Sequence, residues 1–349
     1  MAKFNLETCP RQSIDELCEY IDSDWVKNHI FVQSRTLLDW QHKNSKDNNY
    51  NFIIARDAKS DEICGVLGFI FSSHFSPQLE DERDVWLAIW KVREGAKYSG
   101  LGLRMLGFLK REHKVKTICS IGLSEIVVPM YKLLNFEVGQ LKQFVLVNNK
   151  LSEYQILQTG SYKEKKVGLS EQYTLELLTT ENLSNISPEI EKTIFTCTPQ
   201  KNIEYILNRY AKHPMYHYEV FSVNNRNAIK SLLITRTITI NGANVMRIID
   251  YQGDFYHLAH LNYKLTQLLA ERGLEYIDFV QYGIPEHYLS DSGFVNVNDV
   301  DGLIAPEYFE PLVKTQVTLD YARLGGEKNF YLCKGDSDQD RPSKLKGCP

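Results

Sequence analysis

Lys97-Tyr98-Ser99-Gly100-Leu101-Gly102-Leu103-Arg104 is the stretch whose residue types and spacing most clearly suggest chemistry. A helix starting here would present free backbone N–H groups, and a helix N-terminus is a ready anion site. Gly100 and Gly102 let the backbone approach a pyrophosphate with no Cβ in the way. The amides of Tyr98, Ser99, Gly100, Leu101 and Gly102 are the expected cradle. Leu103 lies in the first helical turn. Lys97 and Arg104 add positive charge, although a solvated face is an equal reading for both. Glu94, at the end of the preceding strand, is a candidate general base. No Cys or Ser stands in a recognisable nucleophile setting, so direct transfer through a ternary complex is expected rather than a covalent enzyme intermediate.

These residues need a strand before the loop and a helix after it. Val85-Trp86-Leu87-Ala88-Ile89-Trp90-Lys91-Val92 supplies the strand. Alternation places Trp86, Ala88, Trp90 and Val92 on one face and Val85, Leu87, Ile89 and Lys91 on the other. Trp86 and Trp90 could then stack on an acceptor, with core packing as the alternative. A dinucleotide fold would need glycine at position 105, which is Met105, and an acid closing the next strand. That strand, Thr117 to Ile121, runs into Gly122-Leu123-Ser124 instead. The Gly-Lys-Ser/Thr of a Walker loop is absent.

The two halves read as degenerate copies offset by roughly 160 residues, the kind of self-similarity to seek first. Hairpin strands Asn51–Arg56 and Cys64–Ile70 are echoed by Tyr218–Val223 and Ile229–Thr237. Val245–Asp250, a helix from Phe255 to Arg272, and Tyr276–Val280 repeat the strand, helix and strand around the loop. Pro285–Phe294 echoes Pro129–Phe136. The second copy has Tyr251-Gln252-Gly253-Asp254 in place of the glycine loop. Asp254 there and Asp250 just before it would repel a pyrophosphate, so one phosphate site is expected, in the first half. Asp250, Asp254 and Tyr282 at the matching edge are then free to meet an acceptor, with Asp254 alternatively capping its helix.

The 349 residues exceed one ordinary core. The expected division is 1–150, a polar lysine-rich linker 151–175, a second unit 176–334, and a solvated tail 335–349. Tyr154–Leu157 in the linker is a candidate short strand. A net charge of −4 argues against broad nucleic-acid or anionic-membrane binding. The seven cysteines are scattered without a Cys-x-x-Cys, so neither zinc nor a disulfide framework is expected. His257 and His260 lack a third ligand at suitable spacing. Asp336-x-Asp338-x-Asp340 lacks the glycine and terminal Glu of a calcium loop, so no metal is expected. No apolar signal core or membrane-length run is present, and a cytoplasmic protein is expected.

Strand, loop, helix and the Tyr131 helix, in that order, resemble the GNAT family of acyl-CoA-dependent N-acyltransferases. The family loop reads Gln/Arg-x-x-Gly-x-Gly/Ala; here Lys97 replaces the Gln/Arg and Asn135 replaces the Gly before Phe136. The resemblance implies an α/β (α+β) fold of two tandem GNAT-like domains, each a mixed, mostly antiparallel sheet flanked by helices. It implies a splay of the central strand from its neighbour near Val92. Backbone there would hold pantetheine, and one N–H would meet the oxyanion. It makes Tyr131 the acid that protonates the departing thiolate. Histone-type members carry their general base where this chain has Trp86. Glu94, Asp250 or Asp254 would have to serve instead.

Trp86–Val92, the degenerate second copy and Phe330–Pro342 are also similar to bacterial tandem-GNAT sugar N-acyltransferases. That similarity implies transfer of an acetyl or 3-hydroxybutanoyl group from CoA to a dTDP-linked amino-dideoxyhexose, the 3-amino-3,6-dideoxy form favoured. Such products feed O-antigen, lipopolysaccharide, capsule or S-layer synthesis. Partners would be these small molecules, without nucleic acid or membrane. A tandem-GNAT peptidyltransferase using aminoacyl-tRNA and a non-catalytic acyl-CoA-binding protein are the alternatives.

Overall fold

The computed structural model describes residues 3–345 apart from 82, 169, 170, 327 and 328. Its strands are β1 (Phe4–Pro10), β2 (Asn49–Asp57), β3 (Ile63–Phe71), β4 (Asp84–Val92), β5 (Thr117–Ile121), β6 (Glu137–Val147) and β7 (Tyr173–Leu177). They continue as β8 (Glu219–Asn225), β9 (Ala228–Ile240), β10 (Ala243–Gly253), β11 (Leu274–Tyr282), β12 (Val295–Asn296), β13 (Leu319–Leu324) and β14 (Leu332–Cys333). All belong to one mixed sheet, ordered β1-β2-β3-β4-β5-β13-β6-β11-β10-β9-β8-β7, with β12 beside β6 and β14 beside β11. Only β4–β5 and β10–β11 run parallel among the named pairs. The mostly antiparallel α/β architecture is as expected, and helices flank it.

The internal repeat is visible in the strand order. Each half runs through antiparallel neighbours to a parallel pair, then to a strand exchanged from the other half. In the first half β13 lies between β5 and β6. In the second, the later part of β6 lies between β11 and β12, with Phe279 opposite Phe144 and Val295 opposite Val145. Residues 319–324, expected in the second unit, therefore pair with the first. Tyr321 and Ala322 are buried there. Each large apolar side chain so buried stabilises the exchange by about 1.5–3 kcal/mol. One core, which includes Ile70, Trp86, Cys119, Tyr205, Ile234, Ile249 and Val280, is shared between the halves.

Several expectations change. The helix expected over 255–272 is a 3-10 turn, Phe255–His260, followed by an α-helix, Asn262–Glu271. Tyr154–Leu157 forms no strand. The amides of Gln155, Ile156 and Leu157 instead donate to the buried Glu275 carboxylate, at 2.6, 2.9 and 2.9 Å. This end of the linker is thus stapled to the second half.

The largest correction concerns the C-terminal segment. Residues 335–340 are not a solvated tail. Asp336, Ser337, Asp338 and Asp340 are all buried, and the segment runs as a strap between the halves. Its acids are compensated by charge: Lys201 Nζ lies 2.7 Å from Asp250 and 2.8 Å from Asp336. Arg236 grips Asp340 through two contacts of 2.6 and 3.0 Å. Arg209 donates to the carbonyls of Gly335 and Ser337. Buried carboxylates need such partners. Residues 346–349 of the expected tail lie outside the described residues.

Candidate functional site

β4 and β5 pair from Asp84–Thr117 to Leu87–Ser120, and there the ladder ends. Beyond it the two parallel strands diverge. The splay thus begins well before Val92, the expected position. Its cause is visible on the other edge of β4, where the register against β3 slips between Leu67–Trp90 and Phe69–Leu87. The extra residue on β4 is a bulge, which bends the strand and breaks alternation. Trp86 and Ala88 face the inter-half core, whereas Trp90 and Val92 join Val85 and Leu87 on the helix side. The expected shared face of Trp86 and Trp90 does not exist.

The loop after β4 closes with Ala96–Tyr98 as a 3-10 turn and then the helix Leu101–Glu112. Gly100 caps this helix at φ +75°, a left-handed conformation suited to glycine. A Cβ on Gly100 would meet nothing within 4 Å, so that side of the loop is open. A Cβ on Gly102 would lie 3.1 Å from Trp90 Nε1, so the loop rests on the indole. The first helical turn leaves the amides of Leu101, Gly102 and Leu103 without intrahelical acceptors. Tyr98 and Ser99 are different: their N–H groups donate to Gly95 and Ala96 carbonyls at 3.0 and 3.2 Å. The anion cradle that the geometry offers therefore starts at Gly100, two residues later than expected. Lys97 Nζ stands 4.6 Å from the Tyr98 ring and 3.8 Å from Asp57. Arg104 is exposed, 5.7 Å from the Phe4 ring.

Tyr131 comes from the helix Val128–Leu133. It is buried, lies edge-on to Trp90 at 5.9 Å, and has the Ser120 side chain beside its hydroxyl. Burial pushes its pKa up to about 12, against the opposing effect of Ser120. The phenol is thus protonated at neutral pH. Gly102, Trp90, Tyr131 and Ser120 form a chain of contacts from the helix N-terminus to the point where β4 and β5 part.

Other expected residues fall elsewhere. Trp86 is 1% exposed and packs in the core, with Tyr205 of the second half 6.4 Å away. It presents no surface for stacking an acceptor. Glu94 has a side chain 94% exposed and lies 3.8 Å from Lys91. Asp250 is fully buried on Lys201, Tyr210 and Gln252. Its task is to hold charge inside the protein. Asp254 is exposed and accepts from the Tyr256 amide at 2.9 Å, so it is the cap that its position also allowed. Tyr282 donates to Glu137 at 3.1 Å and packs on Tyr321. Trp86 thus stands one pair before the splay, opposite Cys119, with its indole turned into the core, and the other four are held by the partners just named. His257 accompanies Tyr173, and no metal-holding group occurs among the described residues.

A cavity of about 330 Å³ opens on the opposite side of the splay from Tyr131. Ala88, Ile121 and Gly122 line it from the first half, and Arg236 and Arg247 from the second. Lys334, Asp338 and Asp340 of the strap complete it. The sequence reading missed the strap because its residues look solvated in isolation. Aromatic and glycine residues at Phe330–Gly335, just before the acids, were the available signal.

No family model and no curated protein sequence matches the chain. Among solved structures, a GCN5-related N-acetyltransferase from Anabaena variabilis aligns with a TM-score of 0.55 at 9% identity. The alignment covers 92% of this chain and 72% of that one. The chain shares the fold of that GCN5-related N-acetyltransferase. Looser matches are an N-myristoyltransferase from Saccharomyces cerevisiae (TM-score 0.48, 9% identity, 94% and 82% covered) and a GCN5-related N-acetyltransferase from Sphaerobacter thermophilus (0.45, 10%, 92% and 95%). The fold shared with the Anabaena variabilis protein spans both halves. No helix among the described residues is long and apolar enough to cross a membrane.

Proposed function

We propose that the protein is a CoA-dependent N-acyltransferase working at the β4–β5 splay of its first half. The contact chain from the Leu101 helix through Trp90 to Tyr131 and Ser120 carries this reading. The substrate pyrophosphate sits on the amides of Gly100, Leu101, Gly102 and Leu103, with Lys97 and Arg104 beside it. The pantetheine arm follows the unpaired edge of β4 from Ala88 toward Val92. A free β4 amide meets the thioester oxygen as it becomes an oxyanion.

The acceptor amine attacks the thioester carbonyl directly. A C–N bond forms and the C–S bond breaks. Tyr131 gives its proton to the leaving thiolate, a role that suits a phenol held protonated by burial. Cys119 and Cys64 do not compete as nucleophiles. Both are buried, and burial raises the pKa of each, Cys64 to about 11. The acceptor is a dTDP-linked amino-dideoxyhexose, the 3-amino-3,6-dideoxy form favoured, and the acyl group is acetyl or 3-hydroxybutanoyl. Support for this class is the similarity of Trp86–Val92 and Phe330–Pro342 to sugar N-acyltransferases. The polar cavity, walled by both halves, is consistent with that class.

The test is acyl transfer from acetyl-CoA and 3-hydroxybutanoyl-CoA to dTDP-linked 3-amino and 4-amino sugars, followed by thiol release and product mass. Acylated sugar nucleotide is the expected product. Thiol release that no amino sugar accelerates, or CoA binding without turnover, would reject the acceptor class.

A further inference from the structure

The strap reaches both diverging strands. Ser337 Oγ donates to the Leu87 carbonyl at 3.3 Å, where β4 leaves the ladder. Gln339 Nε2 donates to the Ile121 carbonyl at 2.8 Å, one residue past the last β5 pair. Asp338 lies between these two anchors. It lines the cavity together with Ala88 and Ile121, so its backbone is fixed across the opening of the splay. Ser337 holds φ +57°, a conformation that a non-glycine residue adopts at a cost.

The cavity's other acids are engaged or remote. Asp340 is bound by Arg236 twice and by the Tyr218 hydroxyl at 2.6 Å. Glu307 is held by Arg247 and Lys334. Glu310 is exposed. Asp338 has one cation, the partly exposed Arg341, through a single contact of 3.2 Å. Its remaining contacts are 3.4 Å from Ser337 and Gln339. The cavity's cations already have carboxylate partners. It therefore suits an ammonium among hydroxyl groups better than a diphosphate.

We propose that Asp338 receives the ammonium of the acceptor amine at the β4–β5 splay, with the amino-sugar end of the acceptor in the strap-walled cavity. The inference rests on the acyltransferase reading above. The ammonium loses one proton through Asp338 to solvent. The amine then attacks, its second proton leaves as the amide forms, and Tyr131 protonates the thiolate. The net change is ammonium plus thioester to amide, thiol and one released proton.

The experiment measures transfer from acetyl-CoA to the dTDP-linked 3-amino-3,6-dideoxyhexose for wild type, Asp338→Asn and Asp338→Glu. Thermal melts and acetyl-CoA titration calorimetry run alongside. Asp338→Asn should lower kcat by about 100-fold, the usual scale for losing a proton acceptor, while acetyl-CoA affinity stays within threefold. Asp338→Glu, which keeps the carboxylate, should recover at least tenfold of that loss. If Asp338→Asn fails to fold, the Glu variant decides alone: a raised acceptor KM with kcat within tenfold of wild type is expected. Asp338→Asn turnover within threefold of wild type overturns the inference and leaves the acyltransferase reading standing. So does an Asp338→Glu loss as deep as that of Asn. Wild type inert toward every dTDP-amino sugar overturns the acceptor class, and this inference with it.

Discussion

The two splays of this sheet diverge at matching places and have opposite fates. In the first half the ladder stops at Leu87–Ser120, and in the second at Ile248–Phe279. The second opening is filled by the protein's own chain. β14 pairs with β11 at Gln281 and Tyr282, the Lys334 amide donates to Val280, and the Gly335 amide donates to Ile249. The fit is close: a Cβ on Gly335 would lie 2.3 Å from the Tyr210 hydroxyl. In the first opening the strap's hydrogen bonds to the strands, among the described residues, come from the side chains of Ser337 and Gln339. Backbone hydrogen bonding closes one site, while side-chain tethering leaves the other accessible. The loops differ in the same sense. One is an open glycine turn feeding the helix Leu101–Glu112, and the other is an Asp254-capped 3-10 turn. The absence of a glycine turn from the second half therefore accompanies a physical plug.

Breaking the plug should have the largest effect. Lys201→Met leaves Asp250 and Asp336 buried without their shared cation. Removing one partner of such a cluster costs about 3–5 kcal/mol. Urea unfolding should show that loss. A change below about 1 kcal/mol would mean that the strap is held by its backbone contacts alone.

Gly100→Asp tests the open side of the comparison. A carboxylate at the helix N-terminus repels a pyrophosphate, and calorimetry should show CoA affinity falling by about 100-fold. The fold should persist, because a Cβ there meets nothing; the left-handed backbone costs about 1–2 kcal/mol. Unchanged affinity would remove the first-half site.

Tyr131→Phe separates chemistry from binding. Steady-state kinetics should show kcat about 100-fold lower, with acetyl-CoA affinity near wild type, if the phenol supplies the thiol's proton. An equal loss in both would mark a packing role against Trp90.

Asp254→Asn is the mirror of Gly100→Asp and should do almost nothing. Asn caps about as well as Asp, so stability should hold within about 0.5 kcal/mol and turnover within twofold. A large drop in turnover would return Asp254 to the reaction and undo the asymmetry between the loops.

What the sequence determined by itself was local. The glycine pair after an aromatic strand, the hairpins and the repeated order of strands and helices follow from residue spacing and turn chemistry. These are short-range properties, and the strands appear within a few residues of where patterning puts them. Tertiary structure decided the rest. The bulge in β4 turned Trp90 away from Trp86, because register against β3, not alternation, sets which face a residue takes. Asp250 became a buried ion-pair partner and Asp254 an exposed cap, although both are acids on one strand end. The strap is the clearest case. Asp336, Asp338 and Asp340 are polar and closely spaced, which reads as solvated chain. Asp336 and Asp340 are buried because Lys201 and Arg236, remote in sequence, compensate their charge while Arg209 takes strap carbonyls, within a fold that only the exchange of β6 and β13 brings together; the cation of Asp338 is the nearby Arg341.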